Sequence, residues 1–173
     1  YNANYFNDTW QGVPKDGYFS IFKRMLDNPL ITVKLNCEYE SIKSQIPADC
    51  TVIYTGMPDQ LFQYKYGELE WRSLRFEWET LPVQDYQGTT VMNYADVEVP
   101  FTRLHEFKHY HPERKEPFAL NKTVICREYS KTYKKGDEAY YPVNNTRNTE
   151  MYAKYAEEAA KTPNLILGGR LGA

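Results

Sequence analysis

The sequence predicts an α/β fold, more closely an α+β arrangement in which an antiparallel sheet is joined to pieces of a nucleotide-binding sheet. Short apolar strands at 51–56 and 165–167 each lead into a glycine turn, as strands of nucleotide-binding sheets do. Between them several strands follow at close spacing, which is typical of antiparallel pairing. Helical patterns at 16–27 and 148–161 flank these strands.

The periodicity of apolar residues and one helix-ending signal predict a helix and then a strand near the start of the printed sequence. Residues 16–27 have apolar side chains on one helical face, with Asp16 as the predicted N-cap and Asn28-Pro29 as the end. Residues 30–39 alternate as a strand that places three apolar side chains on one side, namely Ile31, Val33 and Leu35.

The middle of the chain predicts a sheet. The strand at 51–56 is followed by a brief helical piece over 60–64. Proline and glycine then separate four predicted strands, at 69–79, 89–95, 101–110 and 122–130. A final helix over 148–161 aligns Met151, Tyr155 and Ala159 and precedes the last strand.

Composition bounds the class of protein. The chain of 173 residues is long enough for a core, and its net charge of −2 gives no sign of a nucleic-acid-binding domain. No run approaches the roughly 20 apolar residues of a membrane span, so no membrane partner is predicted. Three cysteines at wide spacing favour free thiols and a cytoplasmic location.

Tyrosine is unusually frequent, with sixteen in the chain. Tyrosine joins an apolar ring to a polar tip, so this surplus is typical of a half-wet sugar or nucleotide groove. Strands also favour tyrosine, so the composition alone is equally consistent with an ordinary sheet.

Residues 105–109, HEFKH, match the zinc-peptidase motif HExxH. On a helix the two histidines would share a face, but the β-branched and aromatic residues before them predict a strand. Positions i and i+4 of a strand lie about 13 Å apart, too far to share one metal ion. We therefore predict no metal site and interpret His105 and His109 as surface histidines.

Arginines recur on the predicted strands. Alternation sends Arg72 and Arg75 to opposite faces, while Arg103 and Arg127 lie on two further strands. Such arginines are suited to forked contacts with a diphosphate. The alternative is cross-strand pairing with nearby glutamates, which the sequence supplies at Glu70, Glu77, Glu106 and Glu128.

Eight motifs in order resemble those of the UDP-galactopyranose mutase family, and together they cover nearly the whole chain. They are Asn4-Tyr5-Phe6 with Trp10-Gln11-Gly12, Tyr54-Thr55-Gly56 with Asp59, GELEWRSL at 67–74, Tyr86-Gln87-Gly88 with Asn93-Tyr94, Pro100-Phe101-Thr102-Arg103 with EFKH at 106–109, Arg127-Glu128-Tyr129, YYPV at 140–143 and GGRLG at 168–172. The chain departs from the usual family pattern at Ala139 and at Met57-Pro58.

The resemblance implies a flavin-dependent isomerase that interconverts UDP-galactopyranose and UDP-galactofuranose for galactofuranose-containing glycans. It implies FAD, in its reduced form, as the cofactor. In the family the flavin N5 attacks the anomeric carbon, so the reaction proceeds through a flavin N5–sugar adduct. It also implies a homodimeric parent enzyme.

The resemblance further implies roles for single residues. Arg103 corresponds to the essential arginine on the diphosphate, and is the predicted catalytic residue. The predicted substrate-binding residues are Tyr5, Arg72, Asn93, Arg103 and Tyr141. The predicted cofactor-binding residues are Gly56, Gly169 and Arg170.

The printed sequence contains no GxGxxG dinucleotide motif, so the resemblance implies a central and C-terminal-side fragment that is inactive alone. It implies an antiparallel substrate-side sheet with flanking helices and returning strands of a discontinuous, FAD-binding, Rossmann-like domain. The predicted division is 1–50 for the cleft border, 51–58 for the first FAD-domain strand, 59–147 for the substrate sheet and 148–173 for the last helix and strand.

Two other functions remain open on the sequence. One is a fragment of an amine-oxidase-like FAD-dependent oxidoreductase, whose substrate would not require the arginines. The other is a non-catalytic sugar-binding β module, which would fold independently and bind glycans without a nucleotide. The glycine turns after 51–56 and 165–167 argue against this module.

Overall fold

A computed structural model describes residues 7–172 of the chain. Its strands form two separate sheets, one parallel with two strands and one antiparallel with five. The strands are β1 (Val52–Tyr54), β2 (Trp71–Leu81), β3 (Val91–Asn93), β4 (Arg103–Glu106), β5 (Thr123–Thr132), β6 (Tyr141–Pro142) and β7 (Leu165–Leu167). The helices are α1 (Tyr18–Leu26), α2 (Tyr39–Ile42), α3 (Pro58–Leu61), α4 (Glu116–Ala119), α5 (Thr146–Ala160) and α6 (Gly169–Gly172), with 3-10 turns at Lys43–Gln45 and Phe107–Tyr110.

The two-stranded sheet pairs β1 with β7 in parallel, and Ile53 lies opposite Ile166. The Gly168 amide extends this pairing by donating to the Tyr54 carbonyl at 3.0 Å. Parallel strands require a long crossover connection, which the whole intervening chain provides here. The predicted α/β class, with an antiparallel sheet beside a parallel one, is confirmed.

The larger sheet has the strand order β3-β4-β5-β2-β6. Its centre is the antiparallel pair β2 and β5, in register from Arg72 opposite Thr132 to Leu81 opposite Thr123. Aromatic and β-branched residues recur along both strands, which suits a pleated and half-buried surface.

Helix α5 packs beside the start of β2 and carries the main core. Tyr155 is fully buried against Leu69 and Trp71. Its hydroxyl donates to the Gly67 carbonyl at 2.6 Å and accepts from the Tyr66 amide at 3.1 Å. The buried ring therefore brings its polar tip to a partner, as buried tyrosines usually do.

The N-terminus of α5 fixes the entry into β2. Asn145 caps the helix, its side chain accepting from the Asn148 amide at 2.8 Å. The buried Asn148 side chain accepts from the Glu70 amide at 2.7 Å and donates to the Val143 carbonyl at 2.9 Å. One amide side chain thus ties α5 to the segments that lead into β2 and out of β6.

The strand predicted over 30–39 is wrong. This segment consists of turns and irregular chain before α2. The Asn28 side chain accepts from the Leu30 amide at 2.9 Å, and Asn36 has a left-handed φ of 52°. A local turn and a residue outside the β region replace the extended conformation that the alternation favours.

Three other predicted boundaries need correction. The N-cap of α1 is Gly17 rather than Asp16, and no side chain caps it. The brief helix begins at Pro58 and ends at Leu61, because Gln63 and Tyr64 adopt left-handed φ values of 52° and 58°. Proline is well suited to that first helical position.

The third correction concerns the strand predicted over 101–110. β4 ends at Glu106, and a 3-10 turn over Phe107–Tyr110 follows it. His109 therefore lies on that turn and not on the strand.

Candidate functional site

Four of the predicted substrate residues lie on one face of the five-stranded sheet. Residues directly opposite one another share a face, and so do alternate residues along a strand. Arg72 lies opposite Tyr141, and Asn93 lies opposite Arg103. Arg103 and Phe76 both lie opposite Glu128, and Phe76 is an even number of residues from Arg72. We call this side of the sheet, defined by Arg72, Asn93, Arg103 and Tyr141, the arginine face.

Arg103 is held by two nitrogens of its guanidinium. Its Nε donates to Asn93 Oδ1 at 2.9 Å, and its Nη1 lies 3.3 Å from Glu128 Oε1. Its side chain remains 42 % exposed. Burial raises the pKa of the neighbouring Tyr110, and the positive charge of Arg103 opposes that shift. The remaining N–H groups of Arg103 have no partner within residues 7–172 and are available to an anion.

Glu128 and His105 complete this cluster, although the sequence patterns predicted no functional role for either. Glu128 is only 8 % exposed, and its Oε2 lies 3.1 Å from His105 Nε2. Strand alternation could have indicated His105, which follows Arg103 by two residues on β4, whereas Glu128 lies opposite Arg103 through long-range strand pairing. The pairing of arginine with glutamate expected as the alternative therefore occurs here within the candidate site.

Arg72 and Arg170 are less constrained. The exposed Arg72 side chain has no hydrogen-bonding or ion-pair partner among the described residues. The guanidinium carbon of Arg170 lies 4.9 Å from the centre of the Tyr141 ring, a cation–π distance. Arg170 belongs to α6 after the parallel sheet, so this contact joins the parallel sheet to the arginine face.

The opposite face carries a satisfied ionic network. Arg75 pairs with Glu77, and the Tyr129 hydroxyl donates to the same Glu77 at 2.6 Å. Hydrogen bonds from Tyr129 and then Arg75 lower the pKa of Glu77. Arg127 pairs with Glu79 at 2.7 Å. Arg127 thus pairs across strands, as the alternative interpretation expects, although with Glu79 rather than one of the predicted glutamates, whereas Arg75 pairs along its own strand.

The two glycine turns meet at the carboxyl ends of β1 and β7. Gly169 has a φ of 74°, and a Cβ there would lie 3.2 Å from the Cβ of Thr55. A Cβ on Gly56 would lie 2.6 Å from the Tyr54 hydroxyl. The carboxyl ends of parallel strands are where α/β proteins bind nucleotides. Gly56, Gly169 and Arg170 therefore lie at that edge, where the two glycines permit tight turns and Arg170 supplies a cation.

The HExxH motif does not place its histidines together. His105 points to Glu128, whereas His109 Nε2 lies 3.3 Å from Asp85 Oδ1 and 3.6 Å from Glu106 Oε2. In the part of the chain that the structure describes, Asp85, Glu106 and His109 form a group with metal-ligand spacing.

The carboxylate of Glu106 already has three donors. It accepts from the Tyr86 and Gln87 amides and, at 2.6 Å, from the Thr123 hydroxyl. Its side chain is fully buried. These bonds give the group a structural function, fixing the loop between β2 and β3. The absence of a metal stays a prediction.

Tyr5, the remaining predicted substrate residue, lies outside the described residues. Within those residues no helix is long and apolar enough to cross a membrane.

The family model of UDP-galactopyranose mutase matches residues 1–173. The chain belongs to this family. The family assignment agrees with the resemblance seen in the eight motifs. The arginine face therefore belongs to a protein of the mutase family.

Similar proteins include UDP-galactopyranose mutase from Mycoplasma pneumoniae, 37% identical over 98% of this chain and 45% of that protein. A dTDP-fucopyranose mutase from Escherichia coli is 33% identical over 99% of this chain and 45% of its own length. A probable UDP-galactopyranose mutase from Klebsiella pneumoniae is 35% identical over 99% of this chain and 43% of its own length. The mutase-family chain therefore spans less than half the length of these relatives.

Proposed function

We propose that this chain is part of a flavin-dependent isomerase that interconverts UDP-galactopyranose and UDP-galactofuranose. The observation that carries the proposal is the arginine face, which presents four residues matching the family's substrate positions on the same side of one sheet. The two cations, Arg72 and Arg103, suit a diphosphate substrate, whereas an amine substrate would not need them. A non-catalytic sugar-binding module would not need the glycine-lined edge of the parallel sheet.

On this proposal each residue of the arginine face has a separate task. Arg103 donates hydrogen bonds from its free N–H groups to the diphosphate. The Tyr141 hydroxyl donates a hydrogen bond to the same group. Arg72 adds a second positive charge, and Asn93 orients Arg103 through Nε. Tyr5 contacts the uridine end, as the family motif implies.

The positive charge of Arg103 also assists departure of UDP. Negative charge builds on the β-phosphate as its bond to the sugar breaks, so the contact strengthens in the transition state. The sheet backbone and Asn93 hold the guanidinium in place before substrate arrives. Such preorganised donors need no rearrangement during the reaction.

FAD is the proposed cofactor, and the carboxyl edge of the parallel sheet fits it. Gly56 and Gly169 allow the tight turns at this edge, where a larger side chain would clash with Tyr54 or Thr55, and Arg170 would face the pyrophosphate. Reduced flavin supplies the nucleophile for the anomeric carbon when it is bound. The contact between Arg170 and Tyr141 would hold the cofactor end and the substrate end of the site together.

A related sugar nucleotide is the second candidate substrate. The Escherichia coli relative, named a dTDP-fucopyranose mutase, has an identity close to that of the UDP-galactopyranose mutases. The arginine face addresses the diphosphate, which both substrates share. It therefore supports either substrate, and the ring contraction of a dTDP-sugar is the alternative reaction.

Further parts of the proposal concern the parent protein. We expect a cytoplasmic homodimer that serves galactofuranose-containing glycans. The free cysteines Cys37, Cys50 and Cys126 support a reducing compartment. Light scattering of the full-length protein would test the dimer.

The function is tested on the full-length, flavin-loaded protein. Purified protein is reduced with dithionite and given UDP-galactofuranose or dTDP-fucofuranose, and the pyranose product is measured by chromatography. We expect turnover with UDP-galactofuranose and a large loss of rate when the reductant is omitted. Turnover with the dTDP-sugar alone would favour the second candidate, and turnover with neither would contradict the proposed function.

A further inference from the structure

The nitrogens of Arg103 differ in their attachment. Nε and one N–H of Nη1 are used by Asn93 and Glu128, at 2.9 Å and at 3.3 to 3.4 Å. The other donors, including both of Nη2, have no partner within residues 7–172. An arginine free to rotate would lose conformational entropy on binding, whereas this one is already fixed through two of its nitrogens.

Glu128 is suited to fix it because Glu128 is itself immobile. Its side chain is buried within β5, and its carbonyl accepts from the Thr102 amide at 2.9 Å and hydroxyl at 3.1 Å. These contacts anchor the residue that immediately precedes Arg103. The carbonyl of Glu128 therefore binds Thr102, and its carboxylate binds the next residue, Arg103.

His105 holds the carboxylate from its other side. Its Nε2 lies 3.1 Å from Glu128 Oε2, and its ring stacks on Phe107 with centroids 5.9 Å apart. Phe107 in turn stacks on Trp78 at 5.0 Å. The aromatic stack limits rotation of the imidazole, which limits rotation of the carboxylate.

We propose that Glu128 is a positioning residue that orients the guanidinium of Arg103 toward the diphosphate, with His105 fixing the carboxylate of Glu128. This inference rests on the proposed mutase function and assigns roles within the same site. Both residues act through Arg103.

The proposal has a distinctive consequence, because Glu128 has two opposing effects. Its geometry orients Arg103, but its negative charge weakens the attraction between the site and a diphosphate. Replacing Glu128 by Gln removes the charge and loosens the orientation. Binding of UDP should then be unchanged or tighter while kcat falls, since misplacement of a positioned group can reduce the rate by about 10²-fold.

The test compares Glu128→Gln with Glu79→Gln in the full-length, flavin-loaded protein. Glu79 forms the matched cross-strand pair with Arg127 on the opposite face, at 2.7 Å. The measurements are kcat with UDP-galactofuranose, the Kd for UDP by calorimetry, and the melting temperature. We expect Glu128→Gln to lower kcat by about 10–10²-fold with no loss of UDP affinity, and Glu79→Gln to match wild type in kcat and Kd.

Two further variants separate the contacts of His105. Gln at this position keeps a donor for Glu128 but loses the stack, whereas Phe keeps the stack on Phe107 and loses the donor. We expect His105→Phe to lower kcat and His105→Gln to retain most of it. Equal losses in both variants would overturn the role of His105.

The possible outcomes distinguish failure of the positioning role from failure of the proposed mutase function. Wild-type protein without turnover would overturn the proposed function and the positioning role with it. Normal wild-type turnover with an unchanged kcat in Glu128→Gln would overturn the positioning role alone. A proportional loss of kcat, UDP affinity and melting temperature would assign Glu128 a merely structural role and would also overturn the proposal.

Discussion

At the scale of single residues, the nitrogens of Arg103 have different partners. Nε and Nη1 bind Asn93 and Glu128 of the sheet, and Nη2 is free for an anion among the described residues. A guanidinium suits this division because its donors lie in one rigid plane, whereas a lysine ammonium is a compact point charge. Substitutions of Arg103 should therefore separate charge from geometry.

We predict that Arg103→Ala lowers kcat by about 10²–10³-fold in the full-length, flavin-loaded protein, as loss of other electrostatic stabilisers does. Substrate binding should weaken as well. Arg103→Lys should restore only part of the rate, because an ammonium cannot donate to the sheet and to a phosphate in the same fork. Steady-state kinetics with UDP-galactofuranose give both quantities.

Arg75→Ala is the matched control, since Arg75 also lies on the five-stranded sheet but pairs with Glu77 on the opposite face. Its kinetics should stay near those of wild type. The role given to Arg103 is contradicted if Arg103→Ala keeps normal kcat while it remains folded and flavin-loaded.

The sequence alone predicted residues of the arginine face, but it did not predict Glu128, which positions one of them on our proposal. Alternation and the family motifs selected Arg72, Asn93 and Arg103, and the strand register shows that they share a face. The role of Glu128 depends on which strand lies beside β4. That neighbour is fixed by long-range pairing, which local patterns do not determine.

At the scale of elements, α5 is fastened to the segment before β2 by one carboxylate. Glu158 accepts from Lys65 at 2.7 Å, from the Tyr66 hydroxyl at 2.8 Å and from Lys161 at 3.2 Å. These hydrogen bonds, with Lys65 first, lower the pKa of Glu158 to about 2. The contact joins residues far apart in sequence without belonging to the apolar core.

The lowered pKa predicts a pH-dependent stability. Ionised Glu158 stabilises the fold fully above its ordinary pKa of 4.5, and this contribution is lost as the pH falls toward about 2. Glu158→Gln should therefore melt below wild type at pH 7, and the difference should shrink in acid. Thermal unfolding at several pH values measures it.

Glu157→Gln serves as the control for this series. Glu157 lies on the same helix and is exposed, so its replacement should leave the melting temperature nearly unchanged at every pH. A Glu158→Gln deficit that stays constant between neutral and acidic pH would contradict the assigned cause.

The contact of α5 with the sheet gives another prediction. Asn148→Ala removes the side-chain partner of the Glu70 amide, whereas the Val143 carbonyl still accepts from the Asn145 amide at 3.1 Å. Leaving the half-buried Glu70 amide without its partner should lower the free energy of unfolding by about 1–3 kcal/mol. Denaturant unfolding of the full-length protein measures the loss.

Asn144→Ala tests whether that loss comes from burial and hydrogen bonding. Asn144 is exposed, and the structure gives its side chain no partner within residues 7–172. It should unfold close to wild type. Equal losses in the two variants would refute the role of Asn148.

The elements that the sequence predicted well are those with strong local patterns. The helix at 148–161 is present as α5, and its aligned Tyr155 and Ala159 are buried. The strand over 30–39 had the right alternation but no partner strand among the described residues. A strand is stable only when its backbone groups pair, so alternation without a neighbour is not sufficient.

At the scale of the whole molecule, α1 and the segment after it leave much apolar surface uncovered. No residue of α1 is buried, and Phe19, Leu30 and Leu35 are 78%, 92% and 80% exposed. The relatives are more than twice as long as this chain, so the isolated chain lacks more than half of the sequence that they contain.

We predict that residues 1–173, expressed alone, purify without stoichiometric flavin and show no mutase turnover. The sequence has no GxGxxG turn for the ADP half of FAD, and Gly56, Gly169 and Arg170 are only part of a site. Absorbance near the flavin bands reports binding, with the full-length protein as the control. A stoichiometric flavin band in the short chain would contradict the prediction.

The parallel pairing of β1 with β7 has a consequence for biosynthesis. Ile53 pairs with Ile166, so β1 leaves the ribosome about 110 residues before its partner exists. At about 5–20 residues per second this wait is roughly 5–20 s. During it β2 to β6 can assemble by antiparallel pairing, while the edge of β1 that pairs with β7 stays open. The arginine face is then built before the glycine-lined edge beside it, so the nascent chain completes the proposed substrate side ahead of the proposed cofactor side.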